Sequence, residues 1–116
     1  MMTIYGIPNC ETVRKARSWL AARGEAATFY DFRKDGITRD RLERWADAVG
    51  WDTLLNRKGT TFRTLSAEER AGADQRDGAI ALMLAHPSLI KRPVVERGDA
   101  VHVGFSEERW ATIFAD

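Results

Sequence analysis

Near its start the chain switches hydrophobic period twice, and that switch constrains the fold more than any other feature. "MTIYGI" is a short apolar, β-branched run stopped by Pro8 and Asn9, which marks a strand. From Glu11 onward, Val13, Ala16, Leu20 and Ala21 recur at helical spacing until Gly24, so an amphipathic helix follows. "AATFYDF", residues 26–32, returns to strand character. Two strands separated by a helix imply parallel pairing, because the helix carries the chain back to the same end of the sheet.

The middle of the chain reads as helical. "RKDGIT" (33–38) is a turn that ends in an N-cap candidate, Thr38, before an amphipathic helix marked by Leu42, Trp45, Ala46 and Val49 and closed by Gly50. "WDTLLNRKGTTFRTL" (51–65) has apolar pairs without a sustained period, so short helical turns and loops are expected there. "SAEE" (66–69) fits a capping box. Residues 76–85 form a further helix, with Ile80, Met83 and Leu84 on one face, that stops before Pro87.

The end returns to strands. "RPVVERGDAVHVGF" (92–105) contains two β runs around Arg97, Gly98 and Asp99, a hairpin. Ser106 caps a last helix that turns Trp110, Ile113 and Phe114 inward. The order is β-α-β, a helical block at roughly 38–86, then β-β-α. With no repeat, low-complexity tract or linker, residues 1–116 read as a single domain.

A length of 116 residues with 44% hydrophobic content fills one core. A net charge of +1, with 30% charged residues of both signs, leaves no footprint for nucleic acid or an anionic membrane. No apolar run approaches the ~20 residues that cross a bilayer, and "MMTIYGIPNC" lacks the pattern of a signal peptide. The expectation is a cytoplasmic protein without membrane or nucleic-acid partners. One cysteine excludes an internal disulfide and a thiolate metal cluster. His86, before Pro87, and His102, which alternates with valines and is expected to face solvent, share no ligand spacing, so no metal site is expected.

That cysteine, Cys10, sits where strand gives way to helix. The thiolate is the nucleophile, and a free cysteine titrates near roughly 8.5. Unpaired N–H groups and the positive dipole end at a helix start favour the anion. Asn9, Thr12 and Arg14 are the candidate supports: Asn9 belongs to the turn before the sulfur, Thr12 can offer a hydroxyl and Arg14 a guanidinium, whereas Glu11 opposes ionisation. An inert buried thiol is the rival account, because free cysteine is among the most buried residue types. Two basic spots stand out as well. Arg57 and Lys58 fall in an irregular loop, and Arg92 precedes Pro93 at a strand start, where a guanidinium could present a fixed fork to an anion.

"TIYGIPNCETVRKARSWL", "FYDFRKDG", "LLNRKGTTFR" and "HPSLIKRPVV", in this order, resemble the arsenate reductase ArsC / Spx family, in particular its small YffB-like members. The resemblance covers nearly the whole chain. It implies an α/β, thioredoxin-like fold: a mixed four-stranded sheet flanked by helices, with a helical insertion between the β-α-β and β-β-α halves. It places the family's nucleophile at Cys10 and the arginine of the cysteine motif at Arg14. Two of the three further arginines that surround the oxyanion fall at Arg57 and Arg92, and the cis-proline falls at Pro93. Three departures stand out. Gly6 replaces the histidine of the arsenate reductases, no arginine occurs from 101 to 105, and Val13 occupies the second position of the Spx Cys-x-x-Cys switch.

The implied function is a glutathione-dependent thiol reductase with a single nucleophilic cysteine, resolved by an external thiol. It needs no tightly bound cofactor, takes glutathione as co-substrate, and has glutathione or glutaredoxin as partner. Two alternatives stay open. One is an arsenate reductase coupled to glutathione or glutaredoxin; the other is an Spx-like regulator that binds RNA polymerase without catalysis.

Overall fold

The computed structural model describes residues 2–115. In chain order the elements are β1 (Met2–Gly6), α1 (Glu11–Ala22), β2 (Thr28–Asp31), α2 (Phe32–Asp35), α3 (Arg39–Val49), α4 (Trp51–Leu54), α5 (Thr60–Arg63), α6 (Ala67–Gly72) and α7 (Arg76–Ala85). A 3-10 turn at Pro87–Leu89 leads to β3 (Val94–Arg97), β4 (Ala100–Val103) and α8 (Glu107–Ile113). The described residues form one sheet of four strands, ordered β2-β1-β3-β4. β1 runs parallel to β2, with Tyr5 opposite Tyr30, and antiparallel to β3, with Ile4 opposite Val95. β3 and β4 form the hairpin. This mixed sheet with flanking helices is the thioredoxin-like α/β arrangement.

Two compact units can be distinguished: a sheet unit, which runs through Asp31 and resumes at Arg92, and a helical unit, Phe32–Lys91. In the sheet unit, Met2 and Ile4 share one face of β1 because side chains alternate along a strand. That face packs with Val95, with Ala16 and Leu20 of α1 and with Trp110 and Phe114 of α8 in one apolar cluster. Ala21, expected on the buried face of α1, is exposed; Val13, Ala16 and Leu20 are the buried residues of the helix, and the half-buried Trp19 packs on the same cluster. The hairpin turns on Gly98, at φ +60°. A glycine with positive φ at the first central position is the II′ arrangement that matches strand twist.

In the helical unit, α3 is capped by Thr38, whose hydroxyl accepts from Arg41 N at 3.2 Å, and it buries Leu42, Trp45 and Ala46. α3, α4 and α6 all pack on α7. The capping box closes in both directions: Ser66 Oγ accepts from Glu69 N at 3.1 Å and the Glu69 carboxylate accepts from Ser66 N at 2.9 Å. Residues 51–65 resolve into two four-residue helices, α4 and α5. The second strand is shorter than its apolar run, because Phe32, fully buried, starts the helical turn α2 rather than ending β2. Burial of an aromatic ring does not require strand geometry, so its apolar character alone overextends the strand.

Candidate functional site

The site begins at the end of β1. Pro8 and Asn9 form a turn in which Cys10 N donates to Ile7 O at 3.3 Å. Cys10 is then the N-cap of α1, with extended backbone (φ −96°, ψ 125°), and its carbonyl accepts from Arg14 N at 2.9 Å. The turn is tight: a Cβ on Gly6 would stand 2.7 Å from Val13 Cγ2. Gly6 and Val13, which depart from the arsenate reductase and Spx motifs, are therefore packed against each other.

Cys10 is half-buried. Burial of the sulfur pushes its pKa up, but the amide of Val13, the hydrogen bond and charge of the Arg92 guanidinium, and the amide of Thr12 outweigh it. The net effect holds the thiol below its ordinary value. Among the described residues the side chain closes no capping hydrogen bond, so these groups act together on the sulfur rather than through one short bond. Helix-start N–H groups and one arginine favour the thiolate form here, the kind of surroundings in which a cysteine pKa falls.

Arg92 reaches the sulfur from the other end of the chain. It is half-buried and precedes a buried Pro93 across a cis peptide bond. Pro93 O accepts from Gly104 N at 2.8 Å, which ties the β4–α8 connection to the start of β3.

Thr12 contributes through its amide. Arg14 is turned to Glu11, at 2.9 Å, with both side chains exposed. That hydrogen bond and charge, then Lys15, hold the Glu11 carboxyl below its usual range, so Glu11 is compensated by cations on its own helix. Asn9 is exposed in the turn before the sulfur. Arg57 lies in the helical unit, where its guanidinium donates to Asp52 Oδ1 at 3.1 Å and Ala73 O at 2.9 Å and stands 3.7 Å from Asp74. A groove of about 530 Å³ runs along α1 from this first turn, with Arg14, Lys15, Trp19, Phe105 and Glu107 in its lining.

His102 differs from expectation. It is half-buried, opposite Val95 in the hairpin, and burial, then the charges of Arg109 and Arg97, push its pKa down. The alternation with valines located the strand but not which face is covered. The helix-start N–H groups expected to act on the sulfur are those of Val13 and Thr12; an N-cap side chain faces the N–H three residues on. Among the described residues no cluster of three His, Cys, Asp or Glu side chains could hold a metal, and no helix is long and apolar enough to cross a membrane.

A thioredoxin-like sheet with one cysteine at the start of its first helix is a thiol-redox fold. Within it, the chain belongs to the ArsC family, which it matches over residues 5–113. It is 36% identical over 115 residues to an uncharacterized protein of Haemophilus influenzae, covering 99% of this chain and 100% of that one. The global transcriptional regulator Spx of Streptococcus pneumoniae is 23% identical over 110 residues, covering 93% and 81%. Among solved structures, the YFFB protein is 46% identical with a TM-score of 0.92, covering 99% of this chain and 100% of that one. An arsenate reductase (ArsC) related protein from Brucella melitensis is 44% identical with a TM-score of 0.79, covering 99% and 95%.

Proposed function

We propose that the protein is a cytoplasmic thiol-dependent reductase in which Cys10 is the nucleophile and glutathione the resolving thiol. The observation that carries this reading is the sulfur held below its ordinary pKa by the Val13 and Thr12 amides and by Arg92. The Cys10 thiolate attacks the glutathione sulfur of a substrate–glutathione mixed disulfide. The substrate leaves as a thiolate that takes a proton, and a Cys10–glutathione disulfide forms. A second glutathione thiolate attacks that disulfide, releasing oxidised glutathione and the Cys10 thiolate. In net, one glutathione thiol is consumed, and the substrate–glutathione disulfide is exchanged for oxidised glutathione and the free substrate thiol. With one cysteine in the chain, no internal thiol competes as resolver. Arg92 binds a carboxylate of glutathione, Pro93 shapes the surface beside the sulfur, and Asn9, Thr12 and Arg14 complete the first turn.

Arsenate reduction is the second reading, favoured by the similarity to an arsenate reductase related protein. It is the weaker one, because Arg57 is already engaged by two carboxylates and a carbonyl, and a multiply charged oxyanion needs several arginine donors of its own. The Spx relative supports a third, a regulator that contacts RNA polymerase.

Incubation with oxidised glutathione followed by intact mass measurement tests the scheme. A gain of one glutathionyl group on the wild type, absent in Cys10→Ser, is expected, together with complete loss of thiol transfer in that variant. The pH–rate profile of iodoacetamide alkylation should have its midpoint below the free-thiol value of about 8.5, because the lowered pKa keeps the thiolate populated as pH falls. Full thiol-transfer activity in Cys10→Ser would sink the proposal.

A further inference from the structure

We propose that Arg109 and Trp110 of α8 are positioning residues for the Cys10 thiolate, acting through Gly104 and Pro93 on Arg92. The inference rests on Cys10 being the reactive group.

Gly104 follows the last rung of the hairpin, where Val103 pairs with Val94. Its backbone is at φ +82°, a conformation that glycine adopts without cost. Its N–H donates to Pro93 O at 2.8 Å. Its carbonyl accepts from Arg109 Nη2 at 2.9 Å and from Trp110 Nε1 at 3.0 Å, and Arg109 Nη2 also donates to Val103 O. Both polar groups of this one residue are therefore held, one by the residue next to Arg92 and the other by α8.

The two donors are themselves fixed. Trp110 is fully buried, with Phe105 at 4.8 Å and Phe114 at 5.5 Å between ring centroids. Ser106 Oγ accepts from Arg109 N at 3.1 Å, and Ser106 O accepts from Trp110 N at 3.0 Å. Removing either donor from the Gly104 carbonyl loosens the loop that meets Pro93, and with it the fork that meets the sulfur. A hydrogen bond and a short-range charge interaction both weaken steeply with displacement, so a small shift of Arg92 is felt at Cys10.

The charged groups near each end are few. Arg92 is the charged group that acts on the sulfur, and Glu11 on its own helix is compensated by Arg14 and Lys15. Arg109 acts on His102, whose pKa is pushed down by burial, then by Arg109 and Arg97. Arg109 therefore influences the sulfur through structure.

The test is the alkylation midpoint of Cys10 in the full chain. Trp110→Phe keeps the ring and deletes the N–H; Arg109→Gln deletes the fork. Each should raise the midpoint, by about 0.2 to 0.7 pH units, the size expected for partial loss of one charge-assisted contact. Arg109→Lys should restore part of the Arg109→Gln shift. In an Arg92→Gln background, Arg109→Gln should add nothing, because the path runs through Arg92. Unchanged midpoints in folded Trp110→Phe and Arg109→Gln, or an undiminished Arg109→Gln shift in the Arg92→Gln background, would overturn the assignment. Alkylation does not depend on glutathione, so these shifts can appear even where thiol transfer fails, and the two proposals fall separately.

Discussion

The sheet unit and the helical unit are stabilised by different kinds of contact. In the sheet unit the decisive pairs join distant parts of the chain: Ile4 to Val95, Tyr5 OH to Glu96 Oε1 at 2.8 Å, and Arg23 to Phe114 O at 2.8 Å. In the helical unit short-range polar links such as the Ser66–Glu69 box, Arg39 to Glu43 at 3.1 Å and Arg57 to Asp52 stand beside longer ones, among them Arg76 to Asp47 at 3.0 Å and Arg57 to Ala73 O at 2.9 Å. Exposed ion pairs of this kind are each worth roughly 0–1 kcal/mol. The Cys10 sulfur lies in the first unit, and the arginine that acts on it comes from a remote segment of the same unit. A cysteine placed this way depends on tertiary pairing, whereas Arg57 is occupied within the helical unit by Asp52, Asp74 and the Ala73 carbonyl.

Large-to-small changes at the two buried tryptophans test this contrast with the largest effects. Trp45 and Trp110 are both fully buried, and replacement by alanine should cost about 3–5 kcal/mol in either unit. Trp110→Ala should be the more damaging of the two, because it also removes the indole bond to Gly104 O and a ring that touches Trp19, Phe105 and Phe114. Urea midpoints of the two variants would decide it, and a Trp45→Ala midpoint lower than that of Trp110→Ala would break the comparison.

Two glycines give a smaller and sharper version. A Cβ on Gly78 would stand 2.0 Å from Gly72 O, a backbone atom, whereas a Cβ on Gly6 meets the Val13 side chain at 2.7 Å. Overpacking of this type costs about 1–3 kcal/mol. Val13→Ala should recover most of the loss in Gly6→Ala, since it removes the colliding methyl groups, while trimming side chains cannot relieve Gly78→Ala. Denaturation of the double variant against both singles measures the coupling; strict additivity would refute the packing account of Gly6 and Val13.

The same division explains what could be read from the amino acids alone. Val13, Ala16 and Leu20, the pattern of Leu42, Trp45 and Ala46, and the box at Ser66 and Glu69 are local spacings, and each appears as an element or a cap. Cys10 at a helix start, with the strand before it, was legible for the same reason. The direction of a long side chain was not. Arg14 turns to Glu11, and Arg57 is taken up by Asp52, Asp74 and the Ala73 carbonyl, contributed by separate turns. Arg109 returns to Gly104 across the α8 cap. Spacing fixes which face of a helix is buried, but a flexible guanidinium selects its partner after the backbone is in place.

The smallest expected effect separates the two serine caps. Ser66 Oγ and Ser106 Oγ each accept from an amide three residues on, both at 3.1 Å, so loss of either bond costs about 1 kcal/mol. The surroundings differ. Among the described residues α6 contributes no buried side chain, whereas α8 buries Trp110 and its last turn is held by Arg23 on Phe114 O and Arg97 on Ile113 O. In Ser66→Ala the lost kilocalorie falls on a helix with no buried side chain of its own, and the Arg70 amide, still bonded to residue 66 O, should exchange about five-fold faster. In Ser106→Ala the buried ring and the two arginines keep the turn closed, so the Trp110 amide should open mainly with the whole unit. Hydrogen exchange read residue by residue resolves the two cases. Equal local acceleration at Arg70 and Trp110, whose amides donate to the two serine carbonyls, would mean that the caps, not the long-range contacts, set the local stability of both units.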